Sequence, residues 1–307
     1  MADKPSRSLV LYGDGLARFI DSSSSSHHLH SLASISSCGF LSLSNSPPSE
    51  FEDDRIVREF ALLLDASSSS SSQTHDQQTL PDRFMGMKAA ISTNHSGLKS
   101  FSTKLGFSVV QLDELVKQQT SESKDSDVVA VELLKLLGFQ KGKVLDNNQF
   151  DLVFLHVGAG EKVNGSEQNA DVEFVDALIG AIMRQAQPGS DVGSRLHLSV
   201  VMSYGKVLED DESRFSVSKK VDEKDSCFST LYPLQSYAMK GGAPRKDVRH
   251  HSPMLIAQLQ HAVTRKDNTQ RFSFQDFIEN SGNLTIPADR FLHEIAFKMW
   301  KAPKYGA

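Results

Sequence analysis

Residues 150–182 read FDLVFLHVGAGEKVNGSEQNADVEFVDALIGAI, and this stretch decides the fold. Its first part, Leu152–Val157, is a nearly continuous apolar run, which is typical of a strand buried on both faces of a parallel sheet. Gly158 and Gly160 then permit a sharp turn. Over residues 170–182 apolar side chains recur at helical spacing. A strand, a glycine turn and a helix in this order predict an α/β fold, in which ligands bind at the carboxyl ends of the strands.

The rest of the chain continues the alternation. Strands are predicted at residues 8–12, 40–43, 107–111, 195–203 and 254–257, and helices at 30–39, 53–65, 98–105, 126–137, 272–279 and after Pro287. This order predicts one domain over residues 1–307, with a mostly parallel sheet and helices on both faces. The serine-rich residues 66–81 are predicted to form a linker, and the charged residues 208–226 an exposed excursion.

Composition narrows the class of protein. A length of 307 residues with 39% hydrophobic residues allows a full core. A net charge of −5 argues against a nucleic-acid binder, and Cys38 and Cys227 lie too far apart for a CxxC zinc site. No apolar run reaches the roughly 18 residues of a membrane span, and the first residues lack the apolar stretch of a signal peptide. We expect a cytoplasmic or nuclear protein without nucleic-acid or membrane partners.

Several stretches, in this order, resemble the alkaline phosphatase superfamily and, within it, the archaeal-type cofactor-independent phosphoglycerate mutases. The first strand ends in Gly13-Asp14-Gly15, which is similar to the family's Asp-Gly strand end. Residues 47–50 are similar to the family's Pro-Gly-Ser-Asp turn, and residues 97–106 to its glycine-rich helix. Residues 151–182 are similar to its block DFVFVH-x-x-x-D-x-x-x-H. Residues 195–205 are similar to its strand ending in Asp-His, and residues 250–256 to its late histidine.

The resemblance implies phosphoryl transfer through a serine held between two divalent metal ions, for which manganese or zinc is suited. It places Asp14 among the metal ligands and Ser49 at the nucleophile, with Ser46 as the other position open for it. Glu161 takes the place of the Asp in D-x-x-x-H. His250 or His251 takes the place of the last ligand.

Other positions depart from the family pattern. Gly165 stands in place of the second ligand of D-x-x-x-H, and Tyr204 and Gly205 stand in place of the Asp-His pair. Glycine has no side-chain donor, and a neutral tyrosine is a poor ligand. The family's inserted lid domain is expected to be absent, because only the linker at 66–81 stands in its place. We therefore expect no bound cofactor, with manganese or zinc only if the site survives.

Two hypotheses follow. In the first, the protein is a pseudoenzyme that keeps the fold and binds a protein partner or a phosphorylated small molecule, with Tyr204 and Arg249 as ligand contacts. The basic turn around Arg249 is also explained as ordinary solvated surface. In the second, Ser49 serves a metal-dependent phosphate-ester hydrolase or phosphotransferase with a reduced site. Glu161 or His156 assists there, although His156 also fits a hydrogen-bonded core histidine.

Overall fold

The computed structural model describes residues 6–20, 26–47, 49–66, 78–111, 126–158, 165–217, 239–240, 243–282 and 285–303, without the side chains of 165–168. The strands are Arg7–Gly13 (β1), Ser37–Leu43 (β2), Ala89–Ser92 (β3), Ser108–Val109 (β4), Phe139–Gln140 (β5), Lys143–Val144 (β6), Leu152–Val157 (β7), Leu196–Met202 (β8), Met239–Lys240 (β9), Ala243–Pro244 (β10), Arg249–Leu259 (β11) and Ile286–Pro287 (β12). The helices are His27–Ala33 (α1), Glu52–Leu63 (α2), Leu80–Arg83 (α3), Ser96–Lys104 (α4), Ser126–Leu136 (α5), Gly165–Gln185 (α6), Asp191–Arg195 (α7), Asp211–Arg214 (α8), Phe274–Asn280 (α9) and Phe291–Lys298 (α10).

An eight-stranded sheet organises these elements in the order β12-β2-β11-β8-β1-β7-β3-β4. β1 lies between β7 and β8 and is parallel to both, with Ser8 opposite Leu152 and His197. β3 and β4 continue the parallel part of the sheet beyond β7. β11 runs antiparallel to β8 and β2. The carboxyl ends of β1, β3, β7 and β8 therefore meet at one edge of the sheet.

Helices cover both faces of this sheet. Alternate residues of β1 point to opposite faces, so Leu9 and Leu11 belong to one apolar layer and Val10 and Tyr12 to the other. The first layer is closed mainly by α1, α5, α6 and α9, and the second by α2, α4 and α10. The predicted α/β fold with a mostly parallel sheet and helices on both faces is confirmed.

Several predicted boundaries need correction. The helix predicted at 30–39 is His27–Ala33, and Gly39 lies inside β2. The strand predicted at 254–257 spans Arg249–Leu259, and β12 follows it. Of the predicted excursion at 208–226, residues 208–217 are described. They contain α8, whose Asp211 is buried. Residues 67–77 of the predicted linker lie outside the described residues.

No helix in the described ranges is both long enough and apolar enough to span a membrane.

Candidate functional site at the carboxyl edge of the sheet

The site is built around Asp14, which follows β1 at the carboxyl edge. Asp14 is 3% exposed, and its backbone N–H donates to the Val157 carbonyl of β7 at 2.9 Å. The Ser203 hydroxyl, which follows β8, donates to Asp14 Oδ1 at 2.7 Å, and the Tyr12 hydroxyl donates to the same oxygen at 3.3 Å. Contacts with β7 through the backbone and with Tyr12 and Ser203 through the carboxylate thus fix Asp14 at the place where the fold usually binds ligands.

The cation that faces Asp14 is the guanidinium of Arg55, on the second turn of α2. Arg55 Nη1 and Nη2 donate to Asp14 Oδ1 and Oδ2 at 3.0 and 2.6 Å. Nε and Nη2 donate to Glu52 at 2.9 and 2.7 Å, and Nη1 donates to Glu59 at 2.9 Å. These bonds engage all of the N–H donors that a guanidinium offers. Arg55 is therefore fixed in position against Asp14.

Glu59 extends the contacts to a second arginine. Arg249 Nη2 donates to Glu59 Oε1 at 3.4 Å, and Nη1 donates to Ser46 Oγ at 3.0 Å. Arg58 donates to the same hydroxyl at 3.1 Å and forms a two-bond pair with Glu50 at 2.6 and 2.9 Å. We call this set the arginine network; it comprises Asp14, Ser46, Glu50, Glu52, Arg55, Arg58, Glu59 and Arg249.

Burial and charge act against each other in this network. Burial alone would raise the pKa of Asp14, but the Arg55 guanidinium and the Ser203 hydroxyl hold it below its usual range. For Glu59 burial dominates and raises the pKa, although Arg55 and Arg249 oppose the shift. Asp14 is thus an anion at neutral pH, with its charge balanced by an arginine of the same chain.

His156, at the end of β7, lies beside this network. Its Nδ1 is 2.8 Å from Thr93 Oγ1, and its ring centroid is 5.5 Å from that of Tyr12. Burial lowers the pKa of His156 to about 4, although the Asp14 charge opposes the shift. Its Nε2 has no hydrogen-bond partner among the described residues. The prediction of a hydrogen-bonded core histidine agrees with this position.

Glycines bring the backbone close to Asp14. A Cβ on Gly158 would lie 2.4 Å from the Asp14 carbonyl oxygen, and Gly158 has φ +86°. A Cβ on Gly205 would lie 3.1 Å from Gly15 Cα, and both glycines have positive φ. A side chain at 205, where the family pattern has a histidine, would therefore be strained and crowded.

The Tyr204 side chain is buried and packs against its neighbours. It is 2% exposed, and its ring centroid lies 4.4 Å from that of Phe215. Arg18 lies 5.6 Å above its ring and forms a two-bond pair with Asp211 at 2.8 and 2.7 Å. Burial raises the pKa of the Tyr204 phenol. The phenol is neutral at physiological pH, so it offers a metal ion no charged oxygen.

The two candidate nucleophiles lie before α2. Ser49 is exposed and precedes Phe51, the N-cap residue of α2, by two positions. Its hydroxyl forms no hydrogen bond with the described residues. Ser46 instead lies inside the arginine network, where its hydroxyl accepts from Arg58 and Arg249. The structure brings Ser46, and not Ser49, into contact with charged groups of the site.

The candidate late histidines both lie inside β11. His250 is exposed, and its carbonyl accepts from the Val217 N–H at 2.8 Å. His251 forms an isolated bridge with Ser216. Burial and the nearby Arg249 lower its pKa, although the charges of Glu212 and Asp211 oppose the shift.

The remaining candidates are Glu161, Arg245 and Lys246. Glu161 lies outside the described residues. Arg245 forms a two-bond pair with Asp289 at 2.9 Å for each bond, and Lys246 is exposed. Arg249 is 3% exposed and paired within the chain.

A divalent metal ion does not fit this arrangement. Both oxygens of Asp14 accept from Arg55, and an ion at a bonding distance of about 2 Å would have to displace that guanidinium. Among the described residues no three His, Cys, Asp or Glu side chains are grouped so as to hold a metal ion.

The sequence interpretation missed Arg55, Glu59 and Ser203. One signal could have revealed Glu59, because it shares the helical face of Ile56 and Phe60, both of which are buried. A charge on such an apolar face requires a buried partner of opposite charge. The pairing of Arg55 with Asp14 had no local signal, because the two residues come from different elements.

Comparisons with known proteins show which solved structures have a similar fold. No family model and no curated protein matches the sequence. A solved structure, that of the PH0037 protein from Pyrococcus horikoshii, is similar with a TM-score of 0.55 and 14% identity, and the match covers 99% of both chains. The two proteins share a fold.

Members of the alkaline phosphatase superfamily are also similar to this chain. A member from Vibrio parahaemolyticus matches with a TM-score of 0.46 and 13% identity over 86% of this chain and 62% of the other. The cofactor-independent phosphoglycerate mutase from Thermoplasma acidophilum matches with a TM-score of 0.38 and 9% identity over 72% of this chain and 39% of the other. Likenesses this distant carry no argument about chemistry, and the mutase branch stays a prediction.

Proposed function

We propose that this protein is a pseudoenzyme of the alkaline phosphatase superfamily, which keeps the fold, holds no catalytic metal and acts by binding a protein partner. One observation carries the proposal: the buried Arg55 guanidinium forms a two-bond pair with Asp14, at the place that the family resemblance gives to a metal ion.

The energetics of the pair support this proposal. The side chains of Arg55 and Asp14 are 5% and 1% exposed. Separating a buried, hydrogen-bonded ion pair leaves an uncompensated charge, which costs about 3–5 kcal/mol. A metal ion would have to supply this free energy in addition to its own desolvation. It would also meet the repulsion of a displaced guanidinium that Glu52 and Glu59 hold nearby.

The pairing of the arginines argues against a phosphorylated small molecule as the partner, and this leaves a protein as the partner that we propose. A phosphate needs cationic donors that are free to turn toward it. Arg249, the expected contact, is already paired with Glu59 and also donates to Ser46 and to the Ser252 carbonyl. Arg245 is similarly paired with Asp289.

Metal retention and turnover test the proposal together. The purified chain is loaded with manganese or zinc, dialysed extensively, and assayed for bound metal and for hydrolysis of p-nitrophenyl phosphate. We expect neither retained metal nor a rate above that of Asp14→Asn and Ser49→Ala. Stoichiometric metal that is lost in Asp14→Asn, with turnover lost in Ser49→Ala, would establish the reduced hydrolase instead.

Calorimetric titration addresses the ligand. A set of phosphorylated metabolites is titrated into the wild-type chain and into Arg249→Ala. We expect a flat titration in both proteins. Saturable heat that is weakened in Arg249→Ala would show that a phosphorylated small molecule, and not a protein, is the partner of the former cleft.

A further inference from the structure

A second polar cluster lies at the opposite, amino-terminal edge of the parallel strands. On the face that α10 covers, the apolar layer of Val10 and Val201 gives way to side chains with polar groups. Ser8 lies opposite His197, and Ser199 opposite Gln258. The first three of these side chains are 0% exposed and Gln258 is 9% exposed. Such a row inside an apolar layer has to be satisfied by its own hydrogen bonds.

Lys298 of α10 reaches into this row. Its Nζ is 3.0 Å from His197 Nε2, and His197 Nδ1 is 2.9 Å from Ser8 Oγ. Burial keeps the pKa of His197 well below its ordinary value, so the imidazole is neutral. An ammonium or amine N–H of Lys298 donates to Nε2, and this arrangement leaves the Nδ1 proton for the Ser8 hydroxyl. The imidazole thereby fixes the direction of the lysine side chain.

Lys298 also lacks the usual compensation of its charge. Among the described residues it forms no ion pair with a carboxylate, whereas Lys301, in the same C-terminal segment, pairs with Asp151 at 3.5 Å. Burial lowers the pKa of Lys298, and the charge of Glu294 on the preceding turn opposes the shift only in part. A desolvated lysine beside a neutral hydrogen-bond partner is the setting in which an amine becomes a nucleophile.

We propose that Lys298 is a reactive amine that is acylated by short acyl thioesters, with His197 as its positioning residue. The amine nitrogen attacks the thioester carbonyl, the C–N bond forms and the C–S bond breaks. The proton lost by nitrogen passes to the departing thiolate, so the products are an amide and a thiol, and no group is oxidised or reduced. Acylation removes the positive charge that burial disfavours.

Competitive labelling of the folded chain tests this proposal. The protein is incubated at neutral pH with the acetyl thioester of N-acetylcysteamine, and the acetylation of each lysine is followed by peptide mass spectrometry. We expect Lys298 to be acetylated several-fold faster than Lys301, because burial lowers the pKa of Lys298 and His197 holds its amine in one direction. In urea the two rates should converge, because the difference comes from the fold.

Variants separate positioning from mere burial. His197→Asn should lower the rate at Lys298 toward that at Lys301, while the rate at Lys301 stays unchanged. Ser8→Ala keeps the Lys298–His197 contact and should lower the rate less, which provides a second test if His197→Asn does not fold. Equal rates at Lys298 and Lys301 in the folded wild-type chain, or a difference that persists in urea, would overturn the proposal.

Discussion

Asp14 and His156 end neighbouring strands, and burial affects both residues, yet only Asp14 keeps a charge. Asp14 has Arg55 within hydrogen-bond distance, so its pKa falls even though burial alone would raise it. Burial lowers the pKa of His156 to about 4, because the nearby Asp14 charge only partly opposes this shift. His156 is therefore neutral. Whether a buried group is charged thus depends on its nearest partner more than on its depth.

This difference predicts a pH dependence of stability. The folded-state pKa of His156 is about 4, below the ordinary histidine pKa of 6.5, so the unfolded chain binds more protons between these values. The stabilisation is present at neutral pH and is lost as the pH falls from 6.5 toward 4, by about 3 kcal/mol in total. His156→Gln should flatten this slope in urea denaturation. His250→Gln serves as the comparison for an exposed imidazole, and an unchanged slope in His156→Gln would contradict the prediction.

At the scale of elements, α2 shows what a sequence pattern can and cannot predict. The apolar spacing of Ile56, Phe60 and Leu63 predicted this helix at 53–65, close to the observed Glu52–Leu63. The predicted strand at 254–257 was too short, because polar His250 and His251 extend β11 without apolar alternation. Periodicity reports which side chains face a core, and it does not report hydrogen bonding along a polar strand end.

The candidate site follows the same rule. Asp14 was predicted because a strand followed by Gly-Asp-Gly is a local pattern. Its partner Arg55 belongs to another element, and the contact between them exists only after α2 packs on the sheet. The family resemblance directed attention to Ser49 and Tyr204, whose surroundings in the structure are solvent and an aromatic cluster.

Glu59 on α2 gives the second prediction. Its side chain is 0% exposed and lies between Arg55 and Arg249, so Glu59→Gln leaves two buried guanidinium groups with less compensation. We expect a loss of about 3 kcal/mol in the free energy of unfolding, measured in urea. Glu132→Gln on α5, which breaks a pair with the exposed Lys135, should cost less than about 1 kcal/mol. Equal losses in the two variants would show that the arginine network does not stabilise α2.

At the scale of the whole molecule, two apolar layers share one sheet. β1 supplies Leu9 to one layer and Val10 to the other, so neither layer can lose its packing without exposing the strand that both need. We therefore expect the described part of the chain to unfold as one cooperative unit.

Leu178→Ala tests this cooperativity. Leu178 on α6 is fully buried in one layer, while the single tryptophan, Trp300, follows α10 on the other side of the sheet. The variant should lose about 2–5 kcal/mol, and the fluorescence and far-UV circular dichroism transitions in urea should shift together. Val131→Ala, at a position 46% exposed, should change little. A fluorescence midpoint that stays at its wild-type value would mean that the layers unfold independently.

The Arg55–Asp14 pair determines how the charge of Asp14 is balanced in each chain. A bound ion obeys mass action, so its occupancy follows the free concentration of that ion in the cell. A guanidinium attached to the same chain is present at an effective concentration that the covalent connection fixes. Its occupancy equals the folded fraction, and neither dilution nor a chelator can remove it. Each newly made chain therefore carries its own counter-charge for Asp14, and this counter-charge is in place as soon as α2 has packed on the sheet.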